Sequence, residues 1–243
     1  MTGARRRASI VVAAIALTAI LIAGIAVLRG PAPVNDRPAR ERPTLLLLTS
    51  LPLVFGEDFS VEQNGSPALR ALDTRYRVVP ISVTDPSELA KGRLLLMAHP
   101  LAQPADDLVA LDQWVHRGGR LVLLADPMLE WPSKRPPGDP LRPPPMFMDT
   151  GLLAHWGLRL DAPDERGARQ QELGGFKVTT VSPGQLFGRC RIAPDRLVAD
   201  CSVGRGRAIV IADADFLDVD EIGSPASTNL DGLLAELASI EQP

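Results

Sequence analysis

The sequence predicts an α/β fold: a mainly parallel sheet with helices on both faces, preceded by one N-terminal transmembrane helix. Three observations carry that prediction. Short continuous apolar runs recur at 44–49, 76–83, 93–98, 120–125 and 207–212, the pattern of strands buried on both faces. Helical periodicities lie between most of these runs, and such alternation builds parallel crossovers. Residues 8–28 form an uncharged run of 21 residues, mainly Ala, Ile, Leu and Val. At about 1.5 Å per residue, a helix of that length reaches roughly 30 Å, the thickness of a bilayer's hydrocarbon core.

That first run follows Arg5, Arg6 and Arg7 and ends at Arg29. A cleaved signal peptide has a shorter apolar region, about 7 to 15 residues, and a small-x-small exit. Here the exit reads Ala26-Val27-Leu28-Arg29, so an uncleaved anchor over 1–29 is the expectation. The arginines on the two sides nearly balance, but carrying three clustered ones across the bilayer is costly. The expected topology is a cytoplasmic N-terminus and an exported C-terminal domain. Residues 30–43 contain Pro31, Pro33, Pro38 and Pro43 among charged residues, a composition that reads as an extended linker. The folded domain is expected over 44–243.

Within that domain the clearest helix is 105–117, where Leu108, Leu111, Trp114 and Val115 share one face and Gly118-Gly119 ends the element. Asp106 and Asp107 suit its positive end, and His116 and Arg117 its negative end. A second helix is expected at 229–240, with Leu230, Leu233, Leu234 and Leu237 as its stripe. Between them, residues 126–150 hold eight prolines, a density that no helix or central strand survives. The segment leaves the carboxyl end of a strand, where ligands bind in open α/β sheets. It reads either as a lid or partner-docking loop or as an inert insertion. Residues 189–192 and 197–203 read as strands joined by a turn at 193–196, and they carry both cysteines, Cys190 and Cys201. If the strands pair, the sulfurs face each other and an oxidising compartment would bond them. The alternative is two separate buried thiols.

Composition narrows the functional classes. With 45% hydrophobic residues the chain is neither a disordered polymer nor a fibre. Its 26 basic against 29 acidic side chains supply no basic footprint for a phosphate backbone, so nucleic acid is not an expected partner. No phosphate-cradling motif, nucleophile elbow or paired histidine motif is present, and neither a cofactor nor a metal is expected. The polar residues that remain gather at predicted strand ends: Thr49 and Ser50 with Glu57, His99, Asp126, and Asp213 with Asp215. At a shared sheet edge such groups converge, and they would contact a ligand, a cation or a partner. The competing reading is caps and turn formers. An enzyme would use Asp126, His99 and Asp213 as a hydrolase or transferase centre.

Four stretches together resemble a known family. They are Leu47-Leu48-Thr49-Ser50-Leu51-Pro52; the helix from Leu108 through Gly118-Gly119 to the strand ending in Asp126-Pro127; Gly204-Arg205-Gly206 with the strand after it; and Asp213-Ala214-Asp215-Phe216 followed by Asn229. In that order, over roughly 44–235, they resemble the GldG-like auxiliary components of uncharacterised ABC-type transport systems. The soluble domains of that family look like class I glutamine amidotransferases. The resemblance implies a flavodoxin-like or amidotransferase-like sheet in a membrane-tethered extracytoplasmic domain; with the one uncharged run at 8–28, the expectation is a single-pass protein of the bacterial inner membrane with a periplasmic domain. It also implies ABC permease and ATPase subunits as partners. Glutaminase activity is not implied, because the turn after the third strand reads Ala98-His99-Pro100 and lacks the catalytic Cys.

Overall fold

A computed structural model describes residues 34–56 and 65–241 of the chain. The elements run β1 (Thr44–Thr49), α1 (Pro67–Arg75), β2 (Arg77–Pro80), α2 (Pro86–Leu89), β3 (Leu94–Ala98), α3 (Ala105–His116) and β4 (Arg120–Leu124). After the proline-rich loop follow α4 (Leu152–His155), β5 (Leu158–Asp161), β6 (Ala168–Leu173), β7 (Phe176–Val181), β8 (Gln185–Gly188) and β9 (Arg191–Ile192). The chain closes with β10 (Val198–Val203), β11 (Gly206–Ile211), α5 (Val219–Ile222) and α6 (Asn229–Glu241).

The main sheet has seven strands in the order β2-β1-β3-β4-β11-β10-β9. β2, β1, β3, β4 and β11 are mutually parallel, while β10 and β9 extend that sheet antiparallel at one edge. Side chains alternate across a strand, and the leucine run of β1 therefore feeds two cores. Leu45 and Leu47 join α1 and α6 on one face; Leu46 and Leu48 join α2, α3 and α4 on the other. The expected parallel sheet with helices on both faces is what forms. No helix among the described residues is long and apolar enough to cross a membrane, and the expected span at 8–28 lies outside them.

Several details depart from the sequence reading. The run at 76–83 is a strand only over Arg77–Pro80, because proline cannot continue a ladder and suits the edge position that β2 occupies. Two antiparallel pairs, β5 with β8 and β6 with β7, come from a stretch whose alternation is too weak to announce them. Part of the expected linker also lies on the domain. Arg37 donates its backbone N–H to the Thr74 carbonyl and pairs with Glu241 at 2.5 Å. Glu241 in turn accepts from Arg75 and from the Tyr76 hydroxyl. One partly buried carboxylate thus ties the entry of the chain, the end of α1 and the end of α6.

Gly204-Arg205 makes the tight turn between β10 and β11. Gly204 has φ +59, and a Cβ there would lie 2.7 Å from the His116 carbonyl oxygen. Only glycine lets this turn pass the end of α3. Cys190 and Cys201 form a disulfide, with Cα atoms 4.8 Å apart, continuing the β9–β10 register in which Arg191 faces Asp200.

Candidate functional site at the carboxyl edge of the sheet

All the parallel strands point the same way, so their last residues meet along one edge. Thr49 ends β1, Ala98 ends β3 with His99 just after it, Asp126 follows β4, and Asp213 follows β11. The Thr49 hydroxyl donates to the Ala98 carbonyl at 2.9 Å and accepts from the Leu51 N–H. The Ser50 hydroxyl donates to the His99 carbonyl at 2.5 Å. These two residues lock the β1 turn to the β3 turn. They also line a cleft of about 270 Å³ with Pro80, Ile81, Phe55 and Leu141. Glu57 lies outside the described residues.

His99 is fully buried and adopts φ +47, a left-handed backbone that non-glycine residues seldom take. Its Nε2 lies 2.9 Å from the Pro144 carbonyl oxygen. A carbonyl only accepts, so Nε2 carries the hydrogen and Nδ1 is the bare lone pair. Nδ1 is buried and has no hydrogen-bond partner among the described residues. Burial disfavours the imidazolium and pushes the pKa of His99 below its usual value, only partly offset by the Pro144 carbonyl.

The acidic residues form a compact cluster. Asp126 accepts from the backbone N–H of Met128 through one oxygen and of Ala214 through the other, both at 2.8 Å. Asp213 accepts from Phe216 N–H at 2.8 Å and Val181 N–H at 2.9 Å. Asp215 accepts from Glu130 N–H at 2.8 Å. Asp126 and Asp213 are fully buried and Asp215 nearly so. Among the described residues no recorded ion pair joins any of the three to a cation, and no group of His, Cys, Asp and Glu is arranged to hold a metal ion. Burial, reinforced by the neighbouring acids, raises all three pKa values: Asp126 to about 6, Asp215 to about 8, and Asp213 well above the ordinary carboxylate range.

Chemically, this cluster is a clamp. Its oxygens hold the start of the proline-rich loop, the end of β7 and the turn that follows β11. The loop itself runs over the sheet edge and is pinned at both ends. Phe147 N–H bonds the Asp126 carbonyl and Leu129 N–H bonds the Pro145 carbonyl. Leu129 and Trp131 pack on one core and Phe147 on the other, so the segment straddles the two layers. The sequence-predicted polar residues therefore fall on one edge, but in two groups: Thr49 and Ser50 with the turn at His99, and Asp126 with Asp213.

Glu130 escaped the sequence reading, and Asn229, read there as following Asp213-Ala214-Asp215-Phe216, has a role that reading did not give it. Glu130, in the loop, accepts from the Ser182 hydroxyl at 2.6 Å and lies beside Arg166. Asn229 makes strand-like bonds to β7, accepting from Thr179 N–H and donating to the Thr179 and Phe216 carbonyls. No local pattern marks Glu130, because its partners come from sequence positions 36 and 52 residues away. Asn229 stands where a helix cap would, which disguises its role.

One solved structure shares this architecture. The N-terminal domain of IFT52 ("mmIFT52") superposes with a TM-score of 0.53 at 14% identity, over 82% of this chain and 99% of that one. At that identity the likeness concerns the fold alone. An exo-β-1,4-mannosidase of Opitutaceae bacterium strain TAV5 gives a TM-score of 0.49 at 13% identity, covering 84% of this chain. A β-galactosidase of Bacillus circulans sp. alkalophilus gives 0.44 at 14% identity, covering 86%. The chain spans 37% and 32% of the lengths of these two glycosidases. No curated protein sequence matches the chain significantly. The sequence profile of one family, described as an ABC-type uncharacterized transport system, matches residues 25–164. That stretch is more than half of the chain and contains the first four parallel strands, α3 and the loop over the sheet edge, and the chain belongs to this family of ABC transport auxiliary proteins.

Proposed function

We propose that this protein is a membrane-anchored, non-enzymatic auxiliary subunit whose α/β domain works on the extracytoplasmic side as a binding scaffold for an ABC permease and its ATPase. The observation that carries the non-enzymatic reading is the use of the polar groups at the sheet edge. Both oxygens of Asp126 and of Asp213 are taken by backbone amides, and the protonated nitrogen of His99 is taken by Pro144. A hydrolase or transferase built on these residues would have to break the clamp before any of them reached a substrate.

Family membership supports the transport partners. Pairing of both cysteines of the chain supports an exported domain, since such bonds persist in oxidising compartments. The uncharged run at 8–28 supports the anchor. Phe55 and Leu141, 71% and 58% exposed on the rim of the Thr49–Ser50 cleft, supply apolar surface for a protein contact.

Affinity purification of the full-length protein from gently solubilised membranes tests the proposal. A permease and an ATPase are expected to co-elute, and to be lost when residues 44–243 are deleted. Reproducible recovery of the protein by itself would overturn the assignment.

A further inference from the structure

The opposite edge of the sheet carries a different chemistry. Successive parallel strands begin on or beside an arginine: Arg77 opens β2, Arg93 precedes β3 and Arg120 opens β4. Register places Thr44 beside Arg77 on one rung, and Arg120 beside Leu94 and Arg207 on the next, so these residues lie together at the amino ends of neighbouring strands. At about 4.8 Å between strands, the row is roughly 20 Å wide. Arg117, at the end of α3, and Arg205, in the β10–β11 turn, lie at the same edge.

Helix dipoles explain a cation at the end of α3, but Arg77, Arg93 and Arg120 stand at or beside the starts of strands, outside the last turn of any helix. Nor are they neutralised. The acids nearby are engaged elsewhere: Glu88 with Lys91, Glu241 with Arg37 and Arg75, and Asp200 with Arg191 and Arg207. Among the described residues Arg77, Arg93, Arg117, Arg120 and Arg205 have no ion-pair partner. Arg93 and Arg117 share an open cleft of about 300 Å³ with the backbone of Gly92, Gly118 and Gly119, large enough for a phosphate group.

The chain also enters the domain at this edge. Residues 34–43 lead into the first residue of β1 and are held there by the bonds of Arg37 to Thr74 and Glu241. Only five residues, 29–33, separate the uncharged run ending at Leu28 from Val34. At no more than about 3.6 Å each, they reach less than 20 Å.

We infer that the arginine-bearing edge is a docking surface for anionic phospholipid headgroups of the membrane in which the chain is anchored. This rests on the anchoring proposed above. Contact there holds the domain upright, with the clamp and the proline-rich loop turned away from the bilayer, where a protein partner can reach them.

The test uses the full chain in nanodiscs of either zwitterionic or anionic phospholipid, with amide hydrogen exchange as readout. Exchange at 90–93, 117–120 and 204–206 is expected to be about tenfold slower on anionic discs, as several arginines near a charged surface would produce. The difference should vanish at high salt. It should also vanish in the triple variant Arg77→Gln, Arg93→Gln, Arg120→Gln, whose melting temperature in detergent should match the wild type. Incorporation into both disc types with identical exchange would overturn the docking surface while leaving the anchor standing. Failure to incorporate at all would overturn the anchor and the docking with it.

Discussion

Asp126, Asp213 and Asp215 place three carboxyl groups in one buried region with only backbone amides as donors. Each amide favours the ionised form, whereas burial and mutual repulsion favour the proton, and the raised pKa values show that the second pair of effects wins. An acid whose folded pKa exceeds its unfolded value binds extra protons in the folded state. Its contribution is therefore lost as pH rises from about 4 toward the folded value. For Asp215, with a folded pKa of about 8, melting temperature is expected to fall between pH 5 and pH 8.5. Asp215→Asn keeps an oxygen for the Glu130 N–H and removes the titration. It should raise stability at pH 8.5 by about 1–3 kcal/mol and flatten the pH profile. A variant with the wild-type slope would show that the burden lies on another group. Asp126→Ala has the opposite effect, because it strands the N–H groups of Met128 and Ala214. A loss of about 2–4 kcal/mol is expected, together with faster proteolysis within 128–149.

Among the elements, the antiparallel edge of the main sheet depends most on a covalent bond. β9 has two residues and pairs with β10 only at Ala199 and Asp200, too little to hold a strand in water. The disulfide between Cys190 and Cys201, 11 positions apart in sequence, supplements those few bonds. Replacing both cysteines by serine should cost about 2–3 kcal/mol in denaturant unfolding, as the loop-entropy argument gives for a short closed loop. Early hydrogen exchange should then appear at 189–192 while β1, β3 and β4 stay protected. An unchanged unfolding midpoint would mean that packing of the half-buried Cys190 region suffices. The proline-rich loop is the opposite case. It has no regular structure, yet carboxylate, carbonyl and histidine contacts hold it at both ends, so order in this segment is tertiary in origin.

At the scale of the molecule, both core clusters and the Glu241 clamp lie within residues 34–241. A chain beginning at Val34 is therefore expected to fold with a full-length melting temperature and to leave the membrane fraction. Aggregation of that shortened chain would show that the first 33 residues complete the fold. Much of this architecture was legible beforehand. The leucine runs of β1, β3 and β4 need burial on two faces, and the Leu108, Leu111, Trp114 and Val115 stripe can belong only to a helix, so period and apolarity suffice for the α/β class. The strand-end positions of Thr49, His99, Asp126 and Asp213 followed from the same reading, since parallel strands deliver their last residues to one edge. What tertiary structure alone decided is the use to which those residues are put. Whether a carboxylate meets an amide, a cation or a substrate depends on partners brought in from distant positions, such as Val181 for Asp213 and Ala214 for Asp126. Local pattern records the tendency of a segment to be strand, helix or turn; it does not record which segments meet. The weakly patterned β5–β8 and β6–β7 pairs, the orphaned nitrogen of His99 and the row of arginines at the far edge all arise from that meeting.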